Sequence, residues 1–332
     1  MARAGPSRIP DFFIVGHAKC GTTALYEMLK SHPQIFMPEY KWGAGKEPWY
    51  FSRDNPQPQT DNVRSVSFTG RRAVTLEEYT ALFADARGDQ LVGEASTSYL
   101  WSTTAAERIA QVRPDARIIA IFREPASFLR SLHLQLLQNH HEVEHDFRKA
   151  VELDEPRRAG RDIPVHSYWP QALIYSDRVR YVDQLRRYET VFAPERTLAL
   201  IYDDLRSDNA GTLRRVLRFL EVDEDFAAPA LDVNPTIAVR KPRLHRVLRN
   251  LHAGPGPLLR PVKAVGKTLT TNGLRRTIYY PGLRRIGVWG EPPPADAAFM
   301  EELRVRFKGE VVALSEHLGR DLVSLWGYDR VG

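Results

Sequence analysis

The chain's 332 residues are 43% hydrophobic and 27% charged, the balance of an ordinary globular fold with length for one large domain or two smaller ones. No apolar run approaches the ~18 residues a membrane span needs, and the single cysteine excludes an internal disulfide or a cysteine-based metal site. A net charge of +6 suits a chain that handles polyanions, but zinc-finger, helix-turn-helix and aromatic RNA-binding patterns are missing, so nucleic acid is not the expected partner.

The first predicted unit spans residues 12–23. Phe12 to Val15 read as a short strand buried on both faces. Gly16 ends it, Gly21 allows a tight backbone path, and Thr22 and Thr23 open a helix with Leu25, Met28 and Leu29 at helical spacing. A glycine-bracketed loop at a helix N-terminus gathers backbone N–H groups and the positive end of the helix dipole, which suits a phosphate-like anion. Loops that bind ATP or GTP read G-x-x-x-x-G-K-[ST]. Here the spacing Gly16 to Gly21 is kept, Thr22 stands where that lysine belongs, and the cation moves to Lys19. The arrangement K-x-G-T-T resembles the 5′-phosphosulfate loop of sulfotransferases that use 3′-phosphoadenosine 5′-phosphosulfate (PAPS). The resemblance implies that Lys19, Cys20, Gly21, Thr22 and Thr23 hold the 5′ end of the nucleotide, with Lys19 also stabilising the leaving group. Proline often precedes the loop lysine in that family; His17-Ala18 stands here instead.

An apolar patch at Ile35–Met37 follows, then a long irregular stretch, 38–73, whose aromatics (Trp42, Trp49, Tyr50, Phe51) predict an ordered lid or cleft wall. Within it, Lys46-Glu47-Pro48-Trp49-Tyr50-Phe51 resembles the K-E-x-x-[FY]-F segment of heparan- and glycan-type sulfotransferases, which implies Glu47 as the base that takes the acceptor proton. Thr75 caps a short helix to Phe83, Leu91–Ala95 is a strand, and Ala105–Val112 is a helix stopped by Pro114. The segment Glu94 to Leu100 is similar to the one after the third strand in carbohydrate-type members.

Ala116–Phe122 is another buried-strand pattern, running into Arg123-Glu124-Pro125 and an amphipathic helix with proline in its first turn. Arg123 therefore stands at the carboxyl end of a strand, the edge where open α/β sheets bind ligands. With Ser131 it forms R-x-P-x5-S, which resembles the family's 3′-phosphate site, although Phe128 stands where a basic residue is frequent. His133 on the same helix is a second position for the base, by analogy with the histidine of phenol-type members. His141 and His145, with His140 beside them, have metal-ligand spacing but no clear third ligand, and no metal is expected.

Ala172–Phe192 reads as one longer amphipathic helix, Thr197–Tyr202 as a strand, and the run through Leu213, Val216, Leu217 and Leu220 as a helix. Beyond Asn234, the basic stretch Arg240-Lys241-Pro242-Arg243 resembles in position the family's C-terminal loop that closes on the cofactor, which adds Arg240 and Lys241 to the nucleotide contacts. Residues 253–294 lack clear periodicity, and a last helix spans Ala295–Leu318, with Asp321 to Trp326 behind it.

Alternating strands and helices predict an α/β fold. The resemblance makes it a three-layer P-loop-type parallel sheet flanked by helices, with a core over 8–232 and an irregular, helical C-terminal cap over 233–332 packed on it. The expected activity is sulfuryl transfer from PAPS to a hydroxyl, less readily an amine, of a carbohydrate or other small acceptor, releasing 3′-phosphoadenosine 5′-phosphate (PAP). An ATP-dependent P-loop kinase and a non-catalytic PAP-binding protein are the alternatives. Met1 to Pro10 holds no hydrophobic stretch of signal length, so a cytoplasmic, prokaryotic-type member is expected.

Overall fold

The structure is a computed structural model that describes residues 8–38, 47–52, 75–165, 167, 169–228, 238–245 and 285–332. Five strands, β1 (Phe12–Ile14), β2 (Ile35–Phe36), β3 (Leu91–Ala95), β4 (Arg117–Phe122) and β5 (Thr197–Ile201), pair in parallel in the order β2-β3-β1-β4-β5. Phe12 to Ile14 and Ile118 to Phe122 are fully buried with no alternation, because helices cover the sheet. From β1 the chain moves to β2 and β3 on one side, then crosses to β4 and β5 on the other. The carboxyl ends of β1 and β4, paired through Ile14 and Ile119, therefore flank a topological switch point, where open α/β sheets form their crevice.

Between the strands lie α1 (Thr22–Lys30), α2 (Leu76–Thr80), α3 (Ala105–Val112) and α4 (Pro125–Gln138). Thr75 caps α2, as the sequence predicts, and its side chain and that of Glu78 form a reciprocal capping box; Glu124 caps α4 by accepting from the Ala126 and Ser127 amides at 3.1 and 2.7 Å. After α5 (Phe147–Glu152) and α6 (Asp154–Arg158), the predicted helix over 172–192 is broken in three. A 3-10 turn (Pro170–Leu173) precedes α7 (Tyr175–Arg178), and α8 (Tyr181–Glu189) follows. The cause is the buried Asp154 carboxylate, which accepts from the Tyr175 and Ser176 amides at 2.7 and 2.8 Å and so starts a fresh helix there. Val179 then turns, its carbonyl accepting from the Tyr181 amide at 2.8 Å, before α8 begins. Apolar periodicity runs through all three pieces, so the breaks are invisible to it.

The fifth strand ends one residue before the predicted Tyr202, because Tyr202 opens α9 (Tyr202–Ser207), which Asp208 separates from α10 (Asn209–Leu220). The predicted terminal helix is α11 (Ala297–Leu318), capped by Asp296, with α12 (Leu322–Leu325) behind it. α11 packs against α4 and α8, and an antiparallel ribbon of β6 (Ala238–Val239) and β7 (Trp289–Gly290) lies on α4. Trp42, Lys46, most of the predicted lid and most of 253–294 lie outside the described residues. Among the described residues, no helix is long and apolar enough to cross a membrane.

Candidate active site

The loop after β1 is held close to the sheet: a Cβ added at Gly16 would come within 3.0 Å of the Ile121 backbone nitrogen. Lys19 (φ 68°) and Gly21 (φ 87°) both take the left-handed conformation, which curls the loop tightly into α1. Gly21 supplies no side-chain cap, so α1 presents first-turn amides and its positive dipole end to whatever lies in front of it. The two predicted phosphate motifs meet here. Arg123, at the end of β4, donates from Nη1 to the Lys19 carbonyl at 2.8 Å and lays its guanidinium 4.7 Å over the Tyr202 ring. Its own carbonyl accepts from the Tyr181 hydroxyl at 2.8 Å. Glu124 is turned away to α4 and the Tyr328 hydroxyl, so it is not the partner of Arg123. Ser131 is buried on α4, about two turns further on.

The electrostatics follow from this crowding. Burial and then the neighbouring Arg123 charge hold the Lys19 ammonium below the ordinary lysine range. Burial pushes the Cys20 thiol up to about 12, against the pull of Arg123, Arg178 and Lys19, so the thiol stays protonated and inert. Only the Cys20 backbone is left for the role expected of that residue.

Glu47 lies beside the carboxyl end of β3. Its Oε2 accepts from the Thr97 hydroxyl at 2.7 Å and from the Trp49 indole N–H at 2.8 Å. The segment 47–52 is pinned to the residues after β3 at several points. The Trp49 amide donates to Ser96 Oγ at 3.0 Å, the Phe51 amide to the Tyr99 hydroxyl at 3.3 Å, and the Ser52 and Ser98 hydroxyls share a bond of 2.7 Å. Phe51 also sits edge-on to Phe13 and Tyr79, inside the core. Under this lies Glu94, fully buried, accepting from the Tyr79 and Tyr99 hydroxyls at 2.7 and 2.8 Å. Burial raises its carboxyl to about 7; hydrogen bonds from Ser96, Tyr79 and Tyr99 oppose the rise, and the Glu47 charge adds a little to it.

A residue the sequence reading passes over connects the two halves. Arg178, the last residue of α7, is buried and stacks its guanidinium 4.2 Å from the Trp101 ring centre. Trp101 meets Trp169 at 6.2 Å between ring centres, and Trp169 meets Trp49 at 4.9 Å, so an aromatic wall runs from Arg178 to Glu47. On its other side, Arg178 donates from Nη2 to His17 Nδ1 at 3.2 Å. A guanidinium can only donate, so the His17 proton sits on Nε2 and is given to Gln184 Oε1 at 2.7 Å. Burial, reinforced by the Arg178 charge, holds this histidine well below its usual value, and it stays neutral.

The remaining predicted residues make contacts of their own. His133 is buried, stacks on Phe147 at 5.2 Å and donates from Nε2 to the Glu144 carbonyl at 2.8 Å, joining α4 to the start of α5. Burial lowers its pKa. Arg240 donates to the Glu291 carbonyl at 3.0 Å and Lys241 to the Ile286 carbonyl at 2.9 Å, cross-tying the β6–β7 ribbon. His140 stacks on His245 at 4.0 Å, and among the described residues no three His, Cys, Asp or Glu side chains gather as metal ligands.

A family model described as "Sulfotransferase family" matches residues 10–226, which contain every element named above except the C-terminal ribbon and helices. The chain is 25% identical over 260 residues to mouse carbohydrate sulfotransferase 15, a match covering 64% of this chain and 44% of that protein. It is 26% identical over 217 residues to mouse heparan sulfate glucosamine 3-O-sulfotransferase 3B1, covering 65% of this chain and 47% of that one. The chain thus spans under half the length of these relatives. The crystal structure of a sulfotransferase from Alicyclobacillus acidocaldarius is similar over 96% of this chain and 99% of its own, with a TM-score of 0.64 and 25% identity.

Proposed function

The chain belongs to the sulfotransferase family, and from that premise we propose that it moves a sulfuryl group from PAPS to a hydroxyl of a carbohydrate acceptor. The observation that carries the reading is the hydrogen bond from Arg123 to the Lys19 carbonyl, which joins the two phosphate motifs at one sheet edge. The surroundings fit a polyanionic nucleotide: an uncapped helix N-terminus and a glycine path too close to β4 for a side chain. Nearby, the buried Nε and Nη1 of Arg178 have no hydrogen-bond partner among the described residues. Bound PAPS would supply an activated sulfuryl group and a phosphate leaving group.

The chain's own residues do the rest. Glu47, its carboxylate fixed by Thr97 and Trp49, takes the proton of the acceptor hydroxyl. Lys19, with the α1 amides, opposes the negative charge that grows at the nucleotide's 5′ end, while Arg123 and Ser131 hold the 3′-phosphate. Trp49, Trp101 and Trp169 give a sugar ring flat apolar surface beside Glu47. Carbohydrate acceptors are further supported by the names of the relatives, carbohydrate and heparan sulfate sulfotransferases.

Calorimetry with PAP and with Mg-ATP tests the nucleotide. Binding of PAP with no uptake of Mg-ATP is the expected result, and the reverse would replace the reading with a kinase. Turnover of labelled PAPS on a carbohydrate panel tests the acceptor, and Glu47→Gln should lower it by about 10²- to 10⁴-fold while leaving PAP affinity within a few-fold. Unchanged turnover moves the base elsewhere.

A further inference from the structure

We propose that Arg178 is a third cation of the nucleotide site: a charge buried behind the anion loop whose counter-ion is the 5′ phosphate group of the bound nucleotide. The inference rests on the PAPS reading above and deepens it. A buried charge in a folded protein is ordinarily paired, because an unpaired one is strongly disfavoured. Arg178 is 3% exposed, yet among the described residues no carboxylate lies within ion-pair distance of it. Among the described residues its buried Nε and Nη1 have no hydrogen-bond partner, and its Nη2 meets neutral His17.

The neighbouring carboxylates are already engaged. Asp177 accepts from Arg158 at 2.7 Å and Asp203 from the Trp326 indole at 2.9 Å. Burial pushes the Arg178 guanidinium down only to about 9, so it remains charged near neutrality. Lys19 and Arg123 are likewise without an acid partner among the described residues, and all three cations act on Cys20, in the middle of the loop. Arg178 reaches the loop through His17, whose neighbour Gly16 packs on β4. The nucleotide brings the negative charge that this cluster lacks.

The test separates charge from shape. In Arg178→Met, PAP should bind about 10- to 50-fold more weakly, the size of one charge felt across a loop. The ligand-free melting temperature should be equal to or above that of the unaltered chain, and the rise on adding PAP should shrink. Arg178→Lys should keep PAP affinity within about threefold, because the charge is kept. Should the Met variant fail to fold, Arg178→Gln against Arg178→Lys reads the same difference. PAP affinity within twofold of the unaltered chain in the uncharged variants overturns the inference and leaves the sulfotransferase reading standing. Equal weakening in the Lys and uncharged variants also overturns it, since packing would then be the agent. An unaltered chain that takes up no PAP overturns both.

Discussion

Two buried arginines near each other in sequence, Arg157 and Arg178, have opposite surroundings. Arg157, on α6, donates to the buried Glu142 carboxylate at 2.8 Å and to the carbonyls of Ala150, Leu173 and Asp162. Glu142 is completed by the Val143 and Glu144 amides and the Tyr175 hydroxyl. That cluster is closed: its charges cancel within the protein, and it joins α6 to the loop after α4. Arg178, held by an indole face and a neutral imidazole, is open. The same side chain at the same burial thus serves architecture in one place and awaits an external anion in the other. A search for binding sites in such a fold gains more from asking which buried charges lack a partner than from asking which charges are buried.

The largest effect is expected at the closed cluster. Arg157→Met strands the Glu142 carboxylate, and breaking such a pair should lower unfolding free energy by about 3–5 kcal/mol in urea titrations. A loss below about 1 kcal/mol would remove the contrast with Arg178. Arg123→Lys sharpens the open end. The ammonium keeps the charge but not the planar fork, so PAP affinity should fall by about 30-fold, roughly 2 kcal/mol, with stability changed by less than about 1 kcal/mol. An unchanged dissociation constant in calorimetry would show that Arg123 serves the loop carbonyl alone.

Glu94 provides the smallest and most selective probe, since it is a buried acid met by hydroxyls rather than by a cation. Its folded value near 7 lies above the ordinary 4.5, so the folded chain holds this proton where the unfolded chain has lost it. The associated stability is complete below about pH 4.5 and is lost as pH rises through 7. Glu94→Gln preserves a neutral acceptor for Tyr79 and Tyr99 and removes the titration. Its stability relative to the unaltered chain should therefore climb from acid to mildly alkaline solution, with the change falling between about pH 4.5 and 7. A difference independent of pH in denaturant titrations would assign Glu94 no proton of its own.

Local signals carried much of the architecture. Strand β3 and helix α3 lie where alternation and periodicity place them, and Pro125 begins α4 as a first-turn proline should. Lys19 and Arg123 are far apart in sequence, yet each was readable, because each sits in its own strand–loop–helix unit; the structure adds that they touch. Arg178 was not readable. Its role depends on Trp101 and His17, both distant in the chain, and on the break that Asp154 imposes ahead of it. In the unbroken helix that periodicity suggests, Arg178 is one polar residue among several. His17 shows locally only as a departure from the usual proline, and its part as the acceptor for Arg178 arises from a contact across 161 positions. The Glu94 cluster was missed for the same reason: Tyr79 comes from a helix that nothing local links to the end of β3.

The far end of the chain reaches back to the site. The Tyr328 hydroxyl donates to Glu124 at 2.6 Å across 204 positions, gripping the cap of the helix that begins beside Arg123. Shortening the chain ahead of Tyr328, or fusing a bulky tag against it, would unseat that latch while leaving all five parallel strands in place. Designs that trim this tail would therefore loosen the start of α4, at the sheet edge where Arg123 stands.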